Sequence, residues 1–137
     1  MPHYVVARII EALNAERKAL RGAKVLILGL AYKPNVDDER ESPSYVLMDL
    51  LAKRGASIAY HDPYVPVIKP TREHPHFAGM KSVAWDRATI AGFDVVLIAT
   101  NHACVNYQEL AGWAPCIVDT RNAMAAIATK PGQVWKA

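Results

Sequence analysis

Short apolar runs alternate with amphipathic stretches along most of this chain. Residues 4–20 place apolar side chains at helical spacing between charged ones, which predicts an amphipathic helix that begins near Pro2. Apolar runs of strand length follow at residues 24–29, 57–60, 94–100 and 116–119, and a weaker one at residues 82–85. Helix candidates separate them at residues 43–54, 86–91 and 106–113. This order predicts an α/β domain that is Rossmann-like and three-layered, with a mostly parallel sheet.

Turn and capping residues set the boundaries of these elements. Ser42 followed by Pro43 is typical of an N-cap and a first helical residue, and Gly55 is expected to end that helix. Residues 61–80 contain several prolines, so we expect an irregular excursion there. A chain of 137 residues with 52% hydrophobic content can bury one sizeable core. We therefore expect one folded domain over residues 23–137, preceded by a linker helix over residues 1–22 that continues from an earlier region of a longer protein.

Charge, hydropathy and cysteine content narrow the functional classes. The formal charge is +3 and the basic residues are scattered among acidic ones, which argues against nucleic-acid binding but allows a small anionic ligand. No run approaches the roughly 18 apolar residues of a membrane span, and no signal-peptide layout is present, so we expect a cytoplasmic protein without membrane contact. Cys104 and Cys116 suggest neither a disulfide framework nor a metal site, and we expect reduced, structural thiols.

Parallel sheets bind ligands where their strands end, which directs attention to the loops after Gly29 and after Asp119. Bulky residues follow Gly29, so the first loop lacks the G-x-G-x-x-G pattern and we do not expect NAD to bind there in the usual way. It offers Tyr32, whose ring can pack on a base or sugar, and Lys33, whose ammonium suits phosphate or ribose oxygens. The second loop offers Arg121, a residue well shaped for bidentate contact with phosphate or carboxylate.

The same residue types also have ordinary structural interpretations. A tyrosine next to a lysine is more often a surface feature, and the charged run of residues 37–41 is more often a solvated loop with local ion pairs. Arg121 can equally stabilise a helix terminus or pair with Asp119. His102 follows a strand, where a hydrogen-bonded loop histidine is commoner than a general base. Asp62 ends a strand as a ribose-binding acid does, but without the glycine loop an Asp-Pro turn is the better interpretation.

One long stretch of the sequence resembles a known family. Residues 24–44, which read KVLILGLAYKPNVDDERESPS, are similar to the signature that opens the C-terminal domain of UDP-glucose and GDP-mannose dehydrogenases. Residues 1–6, 61–66 and 118–122 extend the likeness over nearly the whole chain. Residues 32–38 look most like those of bacterial UDP-N-acetylglucosamine 6-dehydrogenases. The resemblance implies that the chain is the UDP-sugar-binding domain of such an enzyme.

The resemblance also implies where the chemistry lies. In this family an amino-terminal Rossmann domain binds NAD, a central helical region has the catalytic cysteine, and the C-terminal domain closes over the UDP-sugar. The enzyme oxidises the C6 hydroxyl to a carboxylate by two hydride transfers. Neither Cys104 nor Cys116 lies in the glycine-rich motif of that cysteine, so we expect this chain alone to be inactive. Its implied partners are the UDP-sugar, the amino-terminal and central domains, and other copies in a full-length homo-oligomer.

By motif position, the resemblance gives four residues a role. Tyr32 and Lys33 match the family's aromatic and lysine pair that contacts the substrate, and Arg121 matches a substrate-binding arginine. Arg40 matches an arginine that reaches across to NAD. Two alternatives stay open at this stage. The chain can be a freestanding regulatory module that senses UDP-sugars without turnover, or a complete small enzyme of another α/β family that uses Lys33 or His102 as its base.

Overall fold

The computed structural model describes residues 2–30, 43–70 and 75–137. Four α-helices and five strands alternate through these residues. In chain order they are α1 (Pro2–Ala15), β1 (Lys24–Leu28), α2 (Pro43–Lys53), β2 (Ser57–His61), a 3-10 turn (Pro75–Phe77), α3 (Arg87–Ala91), β3 (Val95–Ile98), α4 (Tyr107–Trp113), β4 (Ile117–Asp119) and β5 (Val134–Lys136). None of the helices in these residues is long and apolar enough to cross a membrane.

The five strands form one sheet in the order β2-β1-β3-β4-β5, and every neighbouring pair is parallel. Leu26 of β1 lies opposite Ala59 of β2 on one side and Val96 of β3 on the other. All four residues of β3 are buried, as expected for a central strand covered on both faces. The predicted Rossmann-like α/β class is confirmed.

Helices cover both faces of the sheet, so that the molecule has three layers. Alternate strand residues point to opposite faces, and Val25 and Ile27 pack with α1 and α2. Leu26 and Ile98 pack with α3 and α4 on the other face. A strand buried on both sides needs apolar residues at every position, which is why the strands read as continuous apolar runs.

Helix α1 packs into the main core. Its residues Val6, Ile9 and Leu13 are buried, and the helix contacts α2 and the strands β3, β4 and β5. It ends at Ala15 rather than near residue 20, because the chain turns through Arg17 in the left-handed region, with φ of 60°. The proposed boundary between a linker over residues 1–22 and a domain over residues 23–137 stays a prediction, although α1 shares the core of that domain.

The remaining elements agree with the sequence with two exceptions. Asp86 and Asn106 cap α3 and α4, and their side chains accept hydrogen bonds from the amides of Thr89 and Glu109 at 2.7 and 3.0 Å. The strand predicted at residues 82–85 is wrong: these residues form no strand, although the Val83 amide donates to the Tyr60 carbonyl of β2 at 2.9 Å. Strand β5 was not predicted. The N-cap predicted at residue 42 lies outside the described residues.

Candidate functional site

The sheet order reverses between β1 and β3. The chain goes from β1 outward to β2, then returns across the sheet to β3 and continues outward to β4 and β5. The loops that follow β1 and β3 therefore diverge at this point, and in open α/β sheets the crevice outside such a switch point is the usual ligand site. The segments at this edge are residues 29–30 after β1, 62–64 after β2, 99–102 after β3 and 120–124 after β4.

The beginning of the loop after β1 is fixed by hydrogen bonds to its neighbours. Gly29 has φ of 92°, a conformation that favours glycine, and its amide donates to the His61 carbonyl at 2.9 Å. The Ser44 hydroxyl in the first turn of α2 donates to the Gly29 carbonyl at 3.0 Å. The path of the chain out of β1 is thus set by β2 on one side and by α2 above it.

Asp119, the last residue of β4, shapes the loop that presents Arg121. Its carboxylate is buried and accepts hydrogen bonds from the backbone amides of Arg121, Ala123 and Met124 at 3.0, 3.1 and 2.9 Å. Asn122 lies within this turn in the left-handed region, with φ of 57°. A carboxylate that accepts several backbone amides holds its loop in one conformation. Asp119 therefore fixes the backbone from which the arginine side chain leaves.

The Arg121 side chain extends from the end of β4 toward the end of β3. Its Nε donates to the Ala99 carbonyl at 3.0 Å. Of the two structural interpretations, pairing with Asp119 is wrong for the guanidinium, since Asp119 accepts the Arg121 backbone amide instead. Arg121 is exposed, and among the described residues its guanidinium forms no ion pair. The side chain is anchored at Nε, and its terminal nitrogens are available at the edge next to the switch point.

A buried acid and a buried histidine meet at the same edge. Asp62 has 0% and His102 has 1% of its surface exposed, and Nε2 of His102 lies 2.9 Å from Oδ2 of Asp62. The same Oδ2 accepts the Leu30 amide at 2.7 Å, and Oδ1 accepts the Tyr64 amide at 2.8 Å. The last bond confirms the predicted turn at Asp62. His102 is a hydrogen-bonded loop histidine, as its commoner interpretation required.

The two cysteines lie in different environments. Cys116 is buried next to β4, and burial raises the pKa of its thiol to about 11. Cys104 is exposed in the loop after β3, so packing explains Cys116 but not Cys104. The Tyr64 hydroxyl forms a hydrogen bond with Cys104, which raises the tyrosine pKa, and the Tyr64 ring lies 4.8 Å from that of His102. The Cys104 loop thus packs against the turn after β2.

One of the four predicted site residues lies in the described part of the chain. Arg121 is at the expected edge of the sheet, whereas Tyr32, Lys33 and Arg40 lie outside the described residues. The sequence alone did not predict that Asp62, His102 and Asp119 hold the loops at this edge by hydrogen bonds. Each of these polar residues stands within a few positions of the end of an apolar strand, and that shared placement is the signal that could have found them.

This edge can be compared with known proteins. Residues 26–126 match the sequence model of the UDP-glucose/GDP-mannose dehydrogenase family, UDP binding domain. The chain belongs to this family. The matched region begins in β1 and ends just beyond the Arg121 loop, so that it contains the whole of the edge described above. The UDP-binding domain of this family is therefore the part of the molecule built around the switch point.

Curated relatives of this UDP-binding domain are longer nucleotide-sugar dehydrogenases. UDP-glucose 6-dehydrogenase of Pseudomonas aeruginosa is 30% identical over 88% of this chain and 31% of its own length. UDP-glucose 6-dehydrogenase YwqF of Bacillus subtilis is 35% identical over 74% of the chain and 23% of its length. UDP-N-acetyl-D-mannosamine dehydrogenase of Methanococcus maripaludis is 30% identical over 74% of the chain and 21% of its own length. The chain spans about a third of the length of such relatives, or less.

Solved structures show the same fold. The UDP-D-ManNAc dehydrogenase of Pyrococcus horikoshii matches 98% of this chain and 30% of its own, with a TM-score of 0.75 at 23% identity. The GDP-mannose dehydrogenase of Pseudomonas aeruginosa matches 92% of this chain and 30% of its own, with a TM-score of 0.63 at 23% identity. At this identity the likeness concerns the fold, and it extends over helix α1 as well as the sheet.

Proposed function

We propose that this domain binds the UDP part of a nucleotide sugar in the crevice between the ends of β1 and β3, with Arg121 as a contact to the diphosphate. The supporting observation is the geometry of Arg121. Its Nε is bonded to the Ala99 carbonyl at 3.0 Å, which holds the exposed side chain at the end of β3, next to the switch point. Arginine presents a planar fork of donors that matches phosphate oxygens.

The electrostatics of the crevice support an anionic ligand. Among the described residues, Asp62 and Asp119 are the buried carboxylates at this edge; both accept hydrogen bonds from backbone amides, and neither pairs with the Arg121 guanidinium. A guanidinium that has no acidic partner among the described residues, at a switch point, is an effective anion-binding group. In this proposal Tyr32 and Lys33, which follow Leu30 and Ala31 in the sequence, contact the same ligand.

The described residues do not fit NAD. The sequence after Gly29 lacks the glycines that admit a pyrophosphate, and Asp62, at the position of a ribose-binding acid, is buried and bonded to the protein. We therefore place NAD binding in the amino-terminal domain of a longer polypeptide, with Arg40 reaching toward the cofactor from this chain. That polypeptide would be a cytoplasmic homo-oligomer in which this chain contacts the amino-terminal and central domains.

The activity proposed for the longer polypeptide is NAD-dependent oxidation of the C6 hydroxyl of a UDP-sugar to a carboxylate. A UDP-N-acetylhexosamine is the proposed substrate, because residues 32–38 look like those of enzymes for such sugars, and several similar proteins are named UDP-N-acetyl-D-mannosamine dehydrogenases. Others are named UDP-glucose 6-dehydrogenases, so a comparison of both sugars in the full-length enzyme tests the choice. Faster turnover of UDP-glucose would contradict it.

The nucleophilic cysteine of this reaction is proposed to lie outside this chain. Cys116 is a poor candidate because it is buried and its pKa is raised to about 11, which leaves little thiolate at neutral pH. Cys104 stands between alanine and valine rather than among glycines. In the full-length enzyme Cys104→Ser should retain NADH production. Loss of NADH production with the fold intact would move the nucleophile into this domain.

The binding proposal is tested with the 137-residue chain. After cooperative unfolding has been established, UDP and NAD are titrated separately by calorimetry, and NADH absorbance is followed with UDP-N-acetylglucosamine and NAD together. UDP should bind, NAD should bind poorly, and no sustained NADH production should occur. Arg121→Ala should weaken UDP binding by about 1–3 kcal/mol, as for loss of a hydrogen bond to a charged group.

Arg54→Ala is the matched control, because it removes the same charge from an exposed residue that follows α2 near the opposite edge of the sheet. It should leave UDP affinity unchanged apart from a small long-range effect. Equal losses in the two variants would show that net charge, rather than the position of Arg121, determines binding. An unmodified chain that folds and does not bind UDP would contradict the proposed function.

A further inference from the structure

The buried Asp62 and His102 pair lies at the same edge of the sheet as the proposed ligand crevice. Taking a carboxylate out of water is costly unless hydrogen bonds compensate, so a carboxylate with no exposed surface is strongly constrained by its partners. Those partners come from different parts of the chain: Leu30 after β1, Tyr64 after β2 and His102 after β3. One carboxylate therefore joins three loops.

The strand order makes this junction a bridge across the switch point. Strand β1 lies between β2 and β3, and neighbouring strands are about 4.8 Å apart. A contact between the end of β2 and the loop after β3 must therefore pass over the end of β1. Asp62 and His102 make that contact with their side chains, at 2.9 Å, and Oδ2 of Asp62 also accepts the Leu30 amide. The pair therefore bridges the ends of three neighbouring strands.

The same loop that holds His102 also anchors Arg121. Residues 99–102 leave β3 together, with the Ala99 carbonyl accepting Nε of Arg121 at one end and His102 bonded to Asp62 at the other. The Tyr107 hydroxyl of α4 donates to the His102 carbonyl at 2.9 Å and fixes that end of the loop from the opposite side. At its start this loop is held by β1, since the amides of Ala99 and Thr100 donate to the Leu28 carbonyl at 2.9 and 3.2 Å, and at its far end it is held by His102.

We propose that the Asp62 and His102 pair is a positioning element for Arg121, which acts through residues 99–102 to set the direction of the guanidinium. This inference rests on the proposed binding of UDP by Arg121. Neither member of the pair touches the ligand in this proposal, and neither transfers a proton. Their contribution is to keep the Ala99 carbonyl where it bonds Nε, so that the terminal nitrogens of Arg121 face the crevice.

The test compares His102→Leu, which removes the hydrogen bond to Asp62, with His102→Gln, whose side-chain amide can still donate to Oδ2. UDP affinity of the 137-residue chain is measured by NMR titration. We expect roughly tenfold weaker binding for His102→Leu, and affinity within about threefold of the unmodified chain for His102→Gln. Equal affinities for His102→Leu and the unmodified chain would overturn the proposal.

A double-mutant cycle separates positioning from general loss of stability. If the pair acts through Arg121, His102→Leu should weaken UDP binding by less than about twofold further once Arg121 is already alanine. Additive effects of the two substitutions would overturn the proposal. Gln133→Leu is the control for a lost buried polar group, because the Gln133 side chain donates to the carbonyls of Ala111 and Ala114 at the opposite edge of the sheet. It should lower stability and leave UDP affinity unchanged.

If His102→Leu does not fold, Tyr107→Phe provides the same cycle with a milder change, since it removes only the hydroxyl that bonds the His102 carbonyl. We then expect a loss of about twofold to threefold in UDP affinity that disappears in the Arg121→Ala background. An unchanged affinity, or a loss that persists without Arg121, would overturn the inference. Failure of the unmodified chain to bind UDP would instead remove the proposed function on which the inference rests.

Discussion

Gly29 and Thr100 bring the ends of β1 and β3 into direct backbone contact at the switch point. A β-carbon added to Gly29 would lie 2.5 Å from the carbonyl oxygen of Thr100 and 2.6 Å from its β-carbon, well inside van der Waals contact. Gly29 also has φ of 92°, which side chains rarely adopt. The chain at residue 29 therefore approaches Thr100 too closely to carry a side chain, and only glycine satisfies both conditions.

Gly29→Ala should consequently destabilise the fold more than an ordinary glycine substitution. Strain at positive φ costs about 1–2 kcal/mol and forced overpacking about 1–3 kcal/mol more, so we expect a loss of roughly 3 kcal/mol in the free energy of unfolding. Gly22→Ala is the control, since φ is 83° and nothing lies within 4 Å of its added β-carbon. It should lose only the conformational part, about 1–2 kcal/mol. Urea denaturation measures the free energy of unfolding of both variants. Similar losses for the two would contradict the close approach of Gly29 to Thr100.

Much of the fold could be predicted from sequence because the central strands are buried on both faces. Strands β1 and β3 are continuous apolar runs, and the N-caps Asp86 and Asn106 mark the starts of two helices by local chemistry. Strand β5 was not predicted because it has only three residues and forms by pairing with β4. Apolar residues at 82–85 predicted a strand, but this segment makes a single backbone hydrogen bond to β2, from Val83 to Tyr60, and forms no strand.

The candidate site was only partly predictable, because most of its contacts join residues that are far apart in the sequence. Arg121 follows an apolar strand directly, so its place at the carboxyl edge could be inferred from local pattern and family resemblance. The contact between Asp62 and His102 joins residues 40 positions apart, and the bond from Arg121 to the Ala99 carbonyl joins residues 22 apart. Such pairings depend on the order of strands in the sheet, which no short stretch of sequence specifies.

An acid-sensitive contact at the opposite edge of the sheet gives a prediction about pH. The Asp94 carboxylate accepts the Lys24 amide at 2.8 Å and the Lys18 ammonium at 3.2 Å, and these contacts lower its pKa below the usual 3.8, the amide first. A lowered pKa in the folded state means that the contribution to stability is present above about pH 3.8 and disappears as the pH falls further, through the folded-state pKa.

Asp94→Ala should therefore lower the free energy of unfolding by about 1 kcal/mol at neutral pH, the usual magnitude for loss of such a hydrogen bond. The difference between the variant and the unmodified chain should shrink below about pH 3.8, where the unmodified carboxyl becomes protonated. Denaturation of the variant and the unmodified chain in urea at a series of pH values measures this difference. A difference that stays constant from neutral pH into strong acid would show that the charge of Asp94 contributes nothing.

The turn held by Asp119 links stability to ligand binding. Its carboxylate accepts the amides of Arg121, Ala123 and Met124, so Asp119→Ala leaves three backbone donors without their partner and frees the segment that presents Arg121. We expect a loss of about 1–3 kcal/mol in the free energy of unfolding. We also expect weaker UDP binding, because the guanidinium would no longer start from a fixed backbone.

Asp86→Ala separates these two effects. Asp86 also accepts a backbone amide, that of Thr89, and its loss should lower the stability as for other N-caps, but it lies at the start of α3 away from the Arg121 loop. UDP affinity and urea stability are measured for Asp86→Ala, Asp119→Ala and Arg121→Ala. Only the last two should weaken binding. The contrary outcome is that Asp119→Ala loses stability but binds UDP as tightly as the unmodified chain, whereas Arg121→Ala binds UDP more weakly. The arginine would then reach the ligand without the turn, and Asp119 would contribute only to the stability of the fold.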